Sequence, residues 1–403
     1  MQQNRSRVIW FIAIGLAFFV FIDPFSLFER NNIPTMRVNS EIRASMVDFM
    51  NEAPTPERFV VEALQGDADI VLIGETGFVR QQLQFAANLI PELAEAGINH
   101  FGFQYARIED QQLVDELVSA RNFDEELAER ILFNYMVILG YQEHVNVFRA
   151  AWQANRSRSE DEPPFRMVAL GMTPDYTQIN EQSDAEDPDV LARVFAQGVP
   201  DQAMAAAIRE QIIEPGHKAA VYVEQEHAFA EFEQPLYAQN MEEAGFPDQK
   251  RAGNILRDEY GDRVMSALIH SPVRESRSQV GYGYPVGGVL DAIIQELPEG
   301  RKDRGFFVGE SPFADAPIQS DTLTEGLDTE LTFEELTDAY ITLVPISQYT
   351  PVTPIENFID DSNIARAIRE FPGPNPGDIS PSEMNEYIAG SAATISRIFE
   401  QFE

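Results

Sequence analysis

The segment DIVLIGETGF, Asp69 to Phe78, sets the reading of the whole chain. Four apolar residues, Ile70 to Ile73, run without alternation, stop at Gly74 and leave Glu75 at the exit. An uninterrupted apolar run of this length reads as a strand buried on both faces, which is the habit of parallel sheets covered by helices. Residues 79–96 then place Val79, Leu83, Ala86, Ala87, Ile90, Leu93 and Ala94 on one helical face, with Gly97 as the stop.

The same alternation continues outward. HFGFQ (100–104), FRMVALG (165–171), KAAVYVE (218–224), RGFFVG (304–309) and DAYITLVPI (338–346) are further strand candidates. Between them, Asp110 is placed to cap a helix reaching Ala120. Asn122 with Glu125 suggests a capping box for 123–138, and 141–155 forms another helix. Near the end, SPSE (380–383) combines a Ser cap, Pro at the first helical position and Glu three residues on. The expected fold is α/β: a three-layer α/β/α sandwich with a mainly parallel sheet, preceded by an N-terminal membrane-anchor helix. Residues 1–40 are read as signal anchor and tether, and 41–403 as the α/β domain, with a helical insertion at about 172–215.

The anchor rests on Arg5 and Arg7 followed by fifteen uncharged, mostly bulky residues, Val8 to Ile22. A basic flank before an apolar core directs export, and no small-x-small cleavage pattern follows it. The expected partner is therefore the lipid bilayer, with the body periplasmic or extracellular because basic flanks stay inside. Cleavage would make the body secreted.

Net charge is −37, with three lysines, Lys218, Lys250 and Lys302. Such a field repels polyanions, so nucleic acid is excluded as a partner. Two explanations of the acidity stand open: solubility at high salt, or a genome that prefers arginine together with ordinary acidity. The absence of cysteine excludes disulfides, thiolate metal sites and a catalytic thiol.

Ligands of parallel sheets bind outside the carboxyl ends of the strands. Glu75 follows the first strand, Gln104 ends the second with Arg107 close behind, Glu224 and His227 follow 218–223, and Ser311 follows 304–309. Glu75 and His227 are the catalytic candidates; Gln104, Arg107, Glu224 and Ser311 are the ligand-binding ones. No HExxH pair or histidine pair at i,i+4 occurs, so no metal site is expected. GYGYPVGG (281–288) lacks the P-loop lysine, and no GxSxG elbow is present.

Taken together, IVLIGET (70–76), HFGFQ, VYVEQEHAFAEFEQP (221–235) and GFFVGESPFADAP (305–317) resemble the superfamily of erythromycin-esterase-like proteins, ChaN-like haem-uptake proteins and Tiki proteases. The resemblance spans about residues 60–360 and implies the same sandwich. It also implies a Gly-Glu followed closely by His after the first strand, Glu at the end of the second, and His-Ala or His-Thr after the later one. Gly74, Glu75, His227 and Ala228 match; Thr76, Gly77 and Phe78 supply no His, and Gln104 replaces Glu. An amide can accept a hydrogen bond but cannot take a proton. The resemblance therefore implies a degenerate cleft that binds a small ligand or a partner without efficient catalysis. Haem is one version, with His227 or His144 as iron ligand. The alternative is a divergent esterase or amidase using a Glu75–His227 acid/base pair; the cofactor stays unknown. If the acidity is an adaptation to salt, stability will climb steeply with NaCl, because screening relieves self-repulsion. A flat denaturation midpoint between low and molar NaCl would remove that explanation.

Overall fold

The computed structural model describes residues 33, 40–159, 161–181, 183–184, 187–274, 282–318, 320–327 and 329–402. The expected anchor, Val8 to Ile22, lies outside the described residues. Among those described, no helix is long and apolar enough to cross a membrane.

The strands are β1 (Ile70–Glu75), β2 (His100–Arg107), β3 (Arg166–Gly171), β4 (Ala219–Glu224), β5 (Val264–Ile269), the two-residue ribbon β6 (Val273–Arg274) and β7 (Tyr282–Gly283), β8 (Arg304–Phe307) and β9 (Ala339–Thr342). Seven of them form one sheet in the order β3-β2-β4-β1-β5-β9-β8, parallel except for β8. All six residues of β1 are buried. Side chains alternate across a strand, so Val71 and Ile73 join the core under helices Arg80–Glu95 and Gln142–Arg156. Ile70 and Leu72 join the opposite core with Met204, Leu256 and Ile293 from helices Pro200–Ile208, Ala252–Tyr260 and Val289–Glu296. The mixed α/β fold with helices on both faces of a mostly parallel sheet agrees with the reading of Ile70–Ile73 as a doubly covered strand.

Two strands differ from expectation. β5 lies inside the sheet between β1 and β9, yet VMSALI is not among the expected strands. Ser266 interrupts its apolar run, and its cost is met locally: the hydroxyl lies 3.0 Å from Thr337 Oγ1 and the amide donates to Asp338 at 2.8 Å. β8 runs antiparallel to β9, pairing Phe307 with Ala339. Its carboxyl end therefore lies at the opposite edge of the sheet from those of β1, β2 and β4. Smaller corrections concern helix starts. Helix Glu125–Tyr135 is capped by Asp124, which accepts from Leu127 N at 3.0 Å, and not by Asn122. Asp110 makes no side-chain cap; its carboxylate is held by Arg107. The SPSE box forms as read, with Glu383 Oε2 accepting from Ser380 N at 2.8 Å at the head of Pro381–Phe399.

The connections decide where a crevice can open. The paths from β1 to β2 and from β2 to β3 cross the first face, through helices that include Arg80–Glu95 and Gln142–Arg156. Those from β3 to β4 and from β4 to β5 cross the second, through helices that include Pro200–Ile208 and Ala252–Tyr260. β4 sits between β2 and β1, so neighbouring strands send their chains to opposite faces and leave a gap above their carboxyl ends. Gly171 closes β3 beside this gap, where a Cβ would meet the Gln104 carbonyl oxygen and the Tyr135 ring. Gly171→Ala is expected to lower stability by about 1–3 kcal/mol through overpacking, read as a shifted denaturant midpoint; an unchanged midpoint would contradict the close approach.

Candidate functional site

The gap holds a narrow crevice of about 690 Å³, its open mouth included. Gln104 from within β2, which runs on to Arg107 and does not stop at 104 as expected, Gly171 from the end of β3 and His227 just beyond β4 meet there. Met136, Met172, Phe195, Met204 and Met241 supply apolar wall, and Asp201, Tyr135, Tyr237 and Arg251 complete the polar part.

His227 lies in the short turn of helix Gln225–Ala228 that follows β4. Its Nδ1 is 2.6 Å from Asp201 Oδ1. Asp201 also accepts from Ala252 N at 2.8 Å and from the Tyr237 hydroxyl at 3.0 Å, with Arg251 at 3.5 Å. Burial alone would raise the Asp201 carboxyl, but His227, Arg251 and the Ala252 amide bring it down to about 2. An ionised carboxylate only accepts, so Nδ1 carries the hydrogen and Nε2 is the nitrogen left for proton exchange. Nε2 is 3.9 Å from Glu224 Oε2.

Glu75 and Glu224 are register partners on β1 and β4. Both are buried beneath the crevice, and neither lines it. Glu75 Oε2 accepts from Gly77 N at 2.6 Å, and Oε1 accepts a hydrogen bond from the Tyr105 hydroxyl. Gly77 has a positive φ of 72°, which suits glycine and turns its amide back on the carboxylate. Burial raises the Glu75 carboxyl to about 7, with Tyr105 and Gly77 opposing and Glu226 assisting. Burial, then the charges of Glu75 and Glu226, hold Glu224 well above the usual carboxylate range. Both effects favour the neutral form of Glu224 over the charged one. Gln104 is also committed: its amide oxygen accepts from Glu224 N at 2.8 Å and its nitrogen donates to the Tyr135 hydroxyl at 3.2 Å.

Of the six residues expected at the site, Glu75, Gln104, Glu224 and His227 are brought to adjacent strand ends. Two are not. Arg107 is tied to Asp110 by bonds of 2.9 and 3.2 Å and does not line the crevice. Ser311 is at the far edge of the sheet because β8 is antiparallel; its hydroxyl donates to Val308 O at 2.7 Å. The Glu75–His227 pair is corrected as well, since the carboxylate that holds His227 is Asp201 and the nearer glutamate is Glu224. His144 stacks edge-on against Tyr105 at 4.6 Å in the core, where burial lowers it to about 3.

Haem does not fit these residues. His144 is buried in the core and does not line the crevice, and the available nitrogen of His227 lies 3.9 Å from the Glu224 carboxyl, in a crevice of about 690 Å³ that includes its open mouth.

Fold and site together define an α/β protein with a buried acid pair beneath a strand-end crevice and an Asp-His pair within it. No known family model matches the chain, and no curated protein matches it. Similar solved structures include a protein from Bacillus cereus, 10% identical over 78% of this chain and 99% of that one, with a TM-score of 0.45. A succinoglycan biosynthesis protein is 10% identical over 79% and 99%, with a TM-score of 0.47. The type III effector HopBA1 is 13% identical over 56% and 88%, with a TM-score of 0.35. At these identities and TM-scores, neither activity nor substrate passes from them to this chain.

The Glu75 shift has a definite sign. Its folded pKa lies above its unfolded one, so the folded state binds the extra proton and stability falls as pH rises from about 4.5 through about 7. Glu75→Gln can still accept from Gly77 N, with its amide nitrogen donating to the Tyr105 hydroxyl oxygen in a reversed bond, and should flatten this fall, giving a higher melting temperature than wild type at pH 8. Parallel pH profiles would show that Glu75 does not titrate in this range.

Proposed function

We propose that the crevice above β2, β3 and β4 binds a small ligand, and that the buried acids beneath it serve structure rather than turnover. The observation that carries this reading is the closure of Glu75: both oxygens are taken by internal donors, while only Gln104 and His227 of the expected residues line the crevice. Apolar walls around a few convergent polar groups are the usual make-up of a small-molecule site. The resemblance to erythromycin-esterase-like, ChaN-like and Tiki proteins supports the same position for the cleft. Gln104 in place of Glu removes one of that superfamily's proton-handling groups.

A second reading, hydrolysis, is favoured by the 2.6 Å contact from His227 to Asp201. A histidine oriented by an ionised carboxylate can take a proton from water through Nε2. In that version Asp201 and His227 replace the Glu75–His227 pair.

Two measurements separate them. Nile red fluorescence should rise on binding the protein, and the rise should be lost in Thr173→Trp, which fills the mouth of the crevice; retention of the signal would sink the binding reading. Hydrolysis of p-nitrophenyl acetate should run at the same rate in wild type and in His227→Ala. A wild-type rate abolished by both His227→Ala and Asp201→Asn, with melting temperature held, would establish the second reading instead. We further propose that the body is held outside the cytoplasm by the Val8–Ile22 segment. Full-length protein should then sediment with membranes and be open to protease added from outside the cytoplasmic membrane; a cytosolic fraction would overturn this.

A further inference from the structure

The polar groups of the crevice are unequal in what they have left to offer. Asp201 is filled: one oxygen accepts from His227 and Ala252 N, the other from Tyr237 with Arg251 close by. Gln104 has its oxygen taken by the Glu224 amide. Donors remain in surplus. The Tyr135 hydroxyl accepts from Gln104 at 3.2 Å, and its own hydrogen meets no acceptor among the described residues. The second hydrogen of the Gln104 amide nitrogen is likewise uncommitted.

Arg251 adds the largest surplus. It is buried, its guanidinium lies 3.6 Å above the Tyr237 ring, and one of its terminal nitrogens donates to Gln234 at 3.1 Å. Its Nε has no hydrogen-bond partner among the described residues. A guanidinium carries five N–H donors and no acceptor, so this one enters the crevice with several unspent. Buried donors without acceptors are costly unless something arrives to accept from them.

We propose that the ligand of the crevice carries an anionic head group of the carboxylate class, bound by Arg251 with the Tyr135 hydroxyl and the Gln104 amide, and an apolar body lying among Met136, Met172, Phe195, Met204 and Met241. This deepens the binding reading given above and rests on it. The net charge of −37 opposes an anion at long range, so the preference has to be made locally. Among the lining residues the charges of Asp201 and Arg251 offset each other, and the oxygens of Asp201 are already occupied. Glu224 lies below the crevice and does not line it, and burial favours its neutral form. Methionine walls are deformable and suit an unbranched apolar chain of variable length.

The test uses full-length protein in nanodiscs of zwitterionic lipid, with empty discs as the blank, titrated calorimetrically with hexanoate, 1-hexanol and hexylamine. Hexanoate should bind, with 1-hexanol weaker by at least about tenfold, because charge-assisted hydrogen bonds are the strong ones. Arg251→Gln and Tyr135→Phe should each shrink that preference. Tyr135→Phe keeps the ring packing, so it decides the matter if Arg251→Gln fails to fold. Hexanoate and 1-hexanol binding equally, both blocked by Thr173→Trp, would overturn the anionic head group and leave the crevice reading in place. Tighter binding of hexylamine would overturn it too. Binding of none of the three, or hexanoate binding untouched by Thr173→Trp, would overturn both.

Discussion

A parallel sheet covered by helices on both faces leaves polar chemistry only the ends of its strands, and that constraint organises this protein. Along β1 and β4 every residue is buried, so Glu75 and Glu224 emerge where water is already scarce. A group placed there must find its partners within the protein or give up its charge. Glu75 does some of each. It collects a tyrosine hydroxyl and a backbone amide, and its proton affinity still rises to about 7.

The floor of the crevice is built by chaining such compensations. Glu224 lends its amide to Gln104, Gln104 lends its nitrogen to Tyr135, and Tyr135 packs against Gly171 at the end of the neighbouring strand. On the other side Asp201 gathers His227, Tyr237 and Ala252 from three separate segments. The carboxylate is thereby held as an acceptor, which fixes the histidine tautomer and leaves one nitrogen for exchange. A tightly committed floor and a surplus of donors at its edge are what the proposed acceptor-bearing ligand would meet.

Much of this was legible in the chain. The unbroken run Ile70–Ile73, followed by the helical spacing of Leu83, Ala86, Ile90 and Leu93, identified a covered parallel strand, because periodicity reports how many faces an element buries. The SPSE box announced its helix because capping is a local interaction between residues three apart. Gln104 and Glu224 are legible because they directly follow apolar runs, and His227 because it stands a few residues past one, in the His-Ala pair that the resemblance implies. Arg107 was drawn in by the same rule, although a neighbour three residues away, Asp110, claims it.

What the order of residues could not carry was direction and distance. Ser311 follows an apolar run as Glu75 follows Ile70–Gly74, yet β8 runs backwards, and strand polarity depends on the partner across the sheet rather than on the strand itself. Strand β5 was hidden by Ser266, whose burial is tolerable only because Thr337 and Asp338 meet it from far along the chain. Asp201, in the first turn of a helix after Pro200, looks like any acid favoured by a helix dipole. Arg251 carries no mark of burial in its surroundings. The sequence by itself determined the layers and the edge at which polar groups gather, since both follow from local periodicity. Only the tertiary structure decided that His227 answers to Asp201 and not to Glu75, because that pairing joins residues from separate connections brought within 2.6 Å by the order of the strands.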